Sequence, residues 1–256
     1  MRLVDVHSHI HFCDFDKDRE LILSRAKDIG VIAIITSTLR FSEILRALDI
    51  IEQHPNLVFL SVGLDPAILD PMEMKKVMEF IEQFPDELVA IGEVGLDYFL
   101  IRSSILREVQ RQNFVKWVIL ASKLDLPLVI HSRRAGRIVV NILSRLNYSK
   151  IILHAFDGSV DDVQRARKLG MYFSIPPSVV YSKQKQRLVR CLDLDEILLE
   201  SDAPLLGPIR GLRNEPSNIV KVVEKIAEIK DISVCDVAEA TIRNVKALFG
   251  NRLPLG

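Results

Sequence analysis

Eight short runs rich in Val, Ile and Leu recur along the chain, each parted from the next by a stretch with helical spacing. The runs cover residues 3–6, 31–36, 57–62, 88–93, 127–131, 150–154, 171–175 and 196–202. They are nearly continuous in apolar residues rather than alternating, which suits strands covered on both faces of a parallel sheet. Amphipathic stretches occupy residues 16–30, 42–54, 71–84, 104–124, 134–146, 160–170 and 182–192, and two more, 217–229 and 233–249, close the chain. Eight βα units predict either a (β/α)₈ TIM barrel or a long doubly wound α/β sheet. The length of 256 residues fits the barrel, and no G-x-G-x-x-G follows the first run to support a dinucleotide fold. No linker or low-complexity segment interrupts the pattern, so a single domain over residues 1–256 is expected.

Composition narrows the function. Apolar residues are 48% and charged residues 27%, which excludes disorder, collagen and coiled coil. Lys+Arg and Asp+Glu are both 34, so a protein that coats nucleic acid by charge alone is excluded as well. Cys13, Cys191 and Cys235 are odd in number and scattered, which fits a reducing compartment. The first residues carry no apolar signal core, and no run reaches the ~18 residues of a membrane span. The expectation is a cytoplasmic monomer without membrane association.

Chemistry in a parallel barrel gathers at the C-terminal ends of the strands. The first run ends Asp5-Val6-His7-Ser8-His9, the fourth Gly92-Glu93-Val94-Gly95, the fifth Ile130-His131-Ser132, the sixth Leu153-His154-Ala155 and the eighth Glu200-Ser201-Asp202. Three tip positions per strand make roughly 24 places, about a tenth of the chain. Of six histidines, four (His7, His9, His131 and His154) fall there.

His7 and His9 are two apart and share one face of a strand, which in a barrel is the interior. Taken alone, this pair reads equally well as hydrogen-bonded core histidines. Glu93, His131, His154 and Asp202 at other tips favour a metal site instead. Imidazole nitrogen and carboxylate oxygen suit Zn²⁺, Mn²⁺, Ni²⁺ or Mg²⁺. Six such groups exceed the needs of one tetrahedral ion and suit two divalent ions ~3.5–4 Å apart that share a carboxylate and activate a water. Glu93, flanked by Gly92 and Gly95, is the expected bridge, and Asp202 is both a ligand and a possible base for that water.

Basic residues follow three of the runs, and Arg is well suited to bidentate phosphate binding. Arg133 lies two residues beyond His131, so a substrate contact is expected there, and also from Arg213 and His11. The lysines near 183–185 read better as helix surface, and His54 as a surface residue. Phe12, Tyr98, Phe99 and Phe156 lie near the expected mouth and are the candidates for base stacking.

In order and spacing, DVHSHIHF, AIGEVGLDY, LPLVIHSR, ILHAFDG, LLESDAPLL and RGLRNEPSNI resemble the motifs of the TatD-type metal-dependent deoxyribonucleases of the amidohydrolase superfamily. The resemblance runs from Asp5 to Phe249. It implies a (β/α)₈ barrel with a divalent metal site on His7, His9, Glu93, His131, His154 and Asp202. It also implies phosphodiester hydrolysis, mainly as a 3′–5′ exonuclease acting on DNA ends or single-stranded DNA. A related branch cleaves the ester of D-aminoacyl-tRNA, so hydrolysis of another bond (that ester, an amide or a lactone) is the alternative. Three departures are visible. His11 stands where Asp is frequent, Ala155 where Cys is usual, and Ser174-Ile175-Pro176-Pro177 replaces a glycine-containing run.

Overall fold

A computed structural model describes residues 1–255. Eight strands form one sheet in sequence order, and every adjacent pair along that order is parallel. They are β1 (Leu3–Ser8), β2 (Val31–Thr38), β3 (Val58–Val62), β4 (Leu88–Gly95), β5 (Leu128–His131), β6 (Ile151–His154), β7 (Tyr172–Ile175) and β8 (Ile197–Leu199). Helices fill the intervals: α1 (Arg19–Asp28), α2 (Ile44–Gln53), α3 (Pro71–Gln83), α4 (Ser104–Leu124), α5 (Gly136–Leu146), α6 (Val160–Lys168) and α7 (Lys183–Cys191). After β8 come α8 (Ile219–Lys230) and α9 (Val234–Phe249). The ring closes where Asp202 N donates to His7 O (2.9 Å) and His9 N donates to Ala203 O (2.8 Å). This is the TIM barrel that the βα alternation predicts.

Burial follows from the runs themselves. Every residue of β4 and β1 is buried, as expected of strands sandwiched between a barrel interior and a helix layer. One apolar cluster joins outward-facing residues such as Ile34 and Leu60 to the helices. A second fills the interior with Val4, Val6, Ala33, Ile35, Val129, Ile152 and Leu198, together with Val245, Leu248 and Phe249 of α9 and Leu253 of the tail.

The interior pattern has period two, and it carries the site. Two residues beyond Ala33-x-Ile35 is Ser37; two beyond Val129 is His131; two beyond Ile152 is His154; two beyond Leu198 is Glu200. A polar layer thus sits directly on the apolar one. Two strands depart from this count. Between the pairs Asp5–Ile34 and Ser8–Thr36, β1 advances three residues against two in β2. Between Ile91–Leu128 and Val94–Ile130, β4 does the same against β5. An extra residue in a strand re-aims the side chains after it. Here the two irregularities fall at His7 and Glu93. Gly92 (φ +143°) and Gly95 (φ +144°) permit the second: a Cβ on Gly95 would lie 2.1 Å from His131 O.

The expected strand over residues 196–202 is shorter in the structure. It ends at Leu199, so Asp202 stands on the following loop with φ +52°. No helix is long and apolar enough to cross a membrane among the described residues.

Candidate metal centre

The six expected ligands converge at one mouth of the barrel. His7 Nε2 lies 3.3 Å from Glu93 Oε2 and 3.6 Å from Asp202 Oδ1. His9 Nε2 lies 3.7 and 3.5 Å from the same two atoms. On the other side of the Glu93 carboxylate, Oε1 faces His131 Nδ1 at 2.5 Å and His154 Nε2 at 3.7 Å. One oxygen of Glu93 therefore serves the β1 histidines and the other serves those of β5 and β6. Three overlapping ligand groups result: His7, His9 and Glu93; Glu93, His131 and His154; and His7, His154 and Asp202.

The far side of each imidazole is held by the protein. His9 Nδ1 donates to Ser37 O (2.7 Å), and His7 Nδ1 pairs with Ser37 Oγ (3.0 Å). His154 Nδ1 donates to Glu200 Oε2 (2.8 Å), and His131 Nε2 to Asp97 Oδ2 (3.0 Å). Such partners fix the tautomer and turn the other nitrogen's lone pair inward, as metal-ligating histidines require. His7 Nε2 is buried and, among the described residues, makes no well-aligned hydrogen bond, with Glu93 Oε2 its near neighbour at 3.3 Å. A buried nitrogen left open in this way is costly unless something binds it. The donor set fits a divalent cation: imidazoles and carboxylates, oriented from behind, with one nitrogen waiting.

Electrostatics point the same way. Burial favours neutral Glu93, but the charges of His131 and His154 outweigh it and hold the carboxyl well below its ordinary range. Burial likewise raises Asp202, while His154, His9 and His7 bring it down on balance. Burial disfavours a charged His131, yet Glu93 and Asp97 push its pKa up to about 10; for His154, Glu200, Asp202 and Glu93 push it to about 9. His7 runs the other way: burial, helped by His154, lowers it. Both carboxylates are ionised, and the cluster compensates by holding protons that a cation can displace.

The cleft above these groups has a volume of about 350 Å³ and is lined among others by Phe12, Leu100, Arg133, Lys185 and Leu205. Arg133 lines it as expected. Its Nε and Nη2 both donate to Asp97 Oδ2 (2.9 and 2.6 Å), and its guanidinium lies 4.6 Å from the Phe99 ring centroid. Phe12 stacks on His9 at 4.8 Å. Tyr98 and Phe156, expected near the mouth, do not line the cleft. Arg107 covers the Tyr98 ring, and Phe156 is fully buried.

Two expected substrate contacts lie elsewhere. His11 is fully buried, its Nδ1 2.8 Å from Thr36 Oγ1 and its Nε2 3.2 Å from Glu43 Oε2. Both ring nitrogens are thus spent on β2 and the turn before α2. Arg213 reaches back to the loop after β1, where Nη1 donates to Asp14 O (2.6 Å) and to Asp18 Oδ1 (2.9 Å). Neither residue lines the cleft, contrary to the expected substrate contacts.

The structure adds Ser37, Asp97, Glu200 and Lys185 to the site. Glu200 stood in a strand-tip motif and Asp97 two residues beyond Gly95. Ser37 is visible only once the interior period of β2 is known. Lys185 carried a signal too: with Leu188 and Val189 it forms the buried face of α7, where a lysine breaks the apolar stripe.

The chain has relatives among known proteins along its whole length. The profile of the TatD related DNase family matches residues 4–250. Deoxyribonuclease TATDN3 of Homo sapiens is 39% identical, over 96% of this chain and 94% of that protein. Metal-dependent hydrolase YabD of Bacillus subtilis is 32% identical, over 96% and 98%. The crystal structure of the TatD homologue YjjV from Escherichia coli superposes with a TM-score of 0.88 at 28% identity, covering 97% of this chain and 98% of that one. With the profile spanning nearly the whole barrel, the chain belongs to the TatD related DNase family.

Proposed function

We propose that this protein is a deoxyribonuclease that hydrolyses phosphodiester bonds at DNA ends or in single-stranded DNA, using two divalent ions held by His7, His9, Glu93, His131, His154 and Asp202. One observation carries the reading: the two oxygens of Glu93 face two separate histidine pairs. Divalent ions bound there supply an activated water near neutral pH and neutralise charge on the phosphoryl oxygens.

The chain's own groups supply the rest. Asp202 is ionised and accepts the proton of the attacking water. Asp97 fixes His131 and Arg133 at once, so phosphate and reacting centre are held in one frame. A cleft of about 350 Å³ suits a small group such as a terminal nucleotide. Zero net charge fits a short footprint of this kind. The name of the human relative, a deoxyribonuclease, supports the choice of DNA.

The test is incubation of a 5′-labelled single-stranded oligonucleotide with protein loaded with Mg²⁺, Mn²⁺, Zn²⁺ or Ni²⁺. A ladder shortened from the 3′ end, abolished by chelation, is expected. Intact DNA in all four metals, with release of D-amino acid from aminoacyl-tRNA, would overturn the reading.

A further inference from the structure

A lysine is buried in the wall of the cleft without an acidic partner. Lys185 sits in the first turn of α7, on its inward face, and is 8% exposed. Its Nζ donates to two backbone carbonyls, Ala155 O and, at 3.0 Å, Phe156 O. Among the described residues, no carboxylate lies within ion-pair distance of it. Glu200, Asp157 and Asp202 act on it only from further away. An ammonium has three donors, so one remains. Burying such a charge without a counter-ion is costly. Burial accordingly brings its pKa down to about 8, against the pull of those three acids.

One of its two local bonds is duplicated. Gln184 Nε2 already donates to Phe156 O at 3.0 Å, so a neutral side chain serves the same carbonyl. Asp157, on that loop, is engaged by Arg134 N at 2.9 Å. What the Lys185 ammonium lacks is an anion, and the cleft it lines is the place where one would arrive. Arg133 follows β5 and Lys185 follows β7, so the two cations flank the tip of β6 and His154 between them.

We propose that Lys185 is a substrate-binding residue whose free donor holds a charged phosphate oxygen, completing with Arg133 a pair of cations across the cleft. The proposal rests on the phosphodiesterase reading above for the identity of the anion. It makes Lys185 a direct contact to the phosphate, with no part in holding the ions.

The test uses binding rather than turnover. Calorimetry measures the affinity of the metal-loaded protein for deoxyadenosine 5′-monophosphate and for deoxyadenosine. Lys185→Met keeps most of the stem and removes the charge. It is expected to weaken nucleotide binding about 10- to 100-fold, the usual worth of a charge-assisted hydrogen bond. Nucleoside binding and metal content are expected to stay as in the wild type. Lys185→Arg gives a second measurement that stands if the methionine variant does not fold. Wild-type affinity for the nucleotide should fall more steeply at alkaline pH than that of the arginine variant, since burial lowers the Lys185 pKa whereas an arginine stays charged. Equal nucleotide affinity in Lys185→Met, or identical pH curves for wild type and Lys185→Arg, would overturn the proposal. A wild type that binds nucleotide through Lys185 yet cleaves no DNA would sink the nuclease reading alone.

Discussion

Glu200 Oε2 accepts the Nδ1 hydrogen of His154 at 2.8 Å, deep beneath the mouth of the barrel. The same carboxylate also accepts Ser174 Oγ and the Ala155 N–H, so β6, β7 and β8 are tied together behind one imidazole. Glu200 is fully buried and does not itself line the cleft. Its work is to point His154 Nε2 at the site.

Glu200→Gln should therefore act through the ion. The amide oxygen accepts only some of those bonds and carries no charge. Metal affinity is expected to fall about 10- to 100-fold, the range for partners behind a ligating histidine. Titration against a competing chelator measures it. Unchanged affinity would show that His154 does not depend on Glu200 for its orientation.

Asp97 and Arg133 can be separated. Arg133→Ala removes a cleft cation but leaves the Asp97–His131 bond, so KM for DNA should rise about 10- to 100-fold with metal content unchanged. Asp97→Asn loosens both partners, so KM should rise and metal should be lost more readily. If Arg133→Ala also loses metal, Arg133 is a support for Asp97 and not a phosphate contact.

Asp202→Asn keeps the shape and an oxygen donor while abolishing basicity. The variant should retain at least one ion and lose about two to four orders of magnitude in kcat, with KM little changed. Steady-state kinetics at saturating Mg²⁺ or Mn²⁺, with metal content measured on the same sample, decide it. Near-normal kcat at full occupancy would reject Asp202 as the base.

Chelation should destabilise the fold, since a metal held by the native cluster would find no comparable site among the scattered ligands of the unfolded chain. At 100-fold excess over Kd a bound ion adds about 2.7 kcal/mol. A thermal scan with and without chelator is expected to show a lower Tm without metal. An identical Tm in both would mean that the cluster is stable empty and binds no ion tightly.

Much of this was legible in the sequence because barrel strands repeat with period two and chemistry sits at their tips. That rule placed His131 and His154 on β5 and β6 and reached the HxH of β1. It could not show how His7 and Glu93 are aimed, because the extra residues in β1 and β4 exist only relative to their partner strands. It extended β8 through Asp202, where the chain has already turned into a loop. His11 and Arg213 lie beyond strand ends, and periodicity says nothing of where a loop side chain turns. One turns into Thr36 and Glu43, the other into Asp18. A lysine ordinarily belongs to a helix surface, whereas Lys185 shares the buried face of α7 with Leu188 and Val189.

We propose that the Glu93 carboxylate stands between two ions. Anomalous diffraction from crystals of the Mn²⁺-loaded protein tests it most directly. Two peaks about 3.5–4 Å apart are expected, one beside His7 and His9 and the other beside His131 and His154, with the Glu93 carboxylate shared between them. A single peak, or two peaks of which neither touches Glu93, would contradict it.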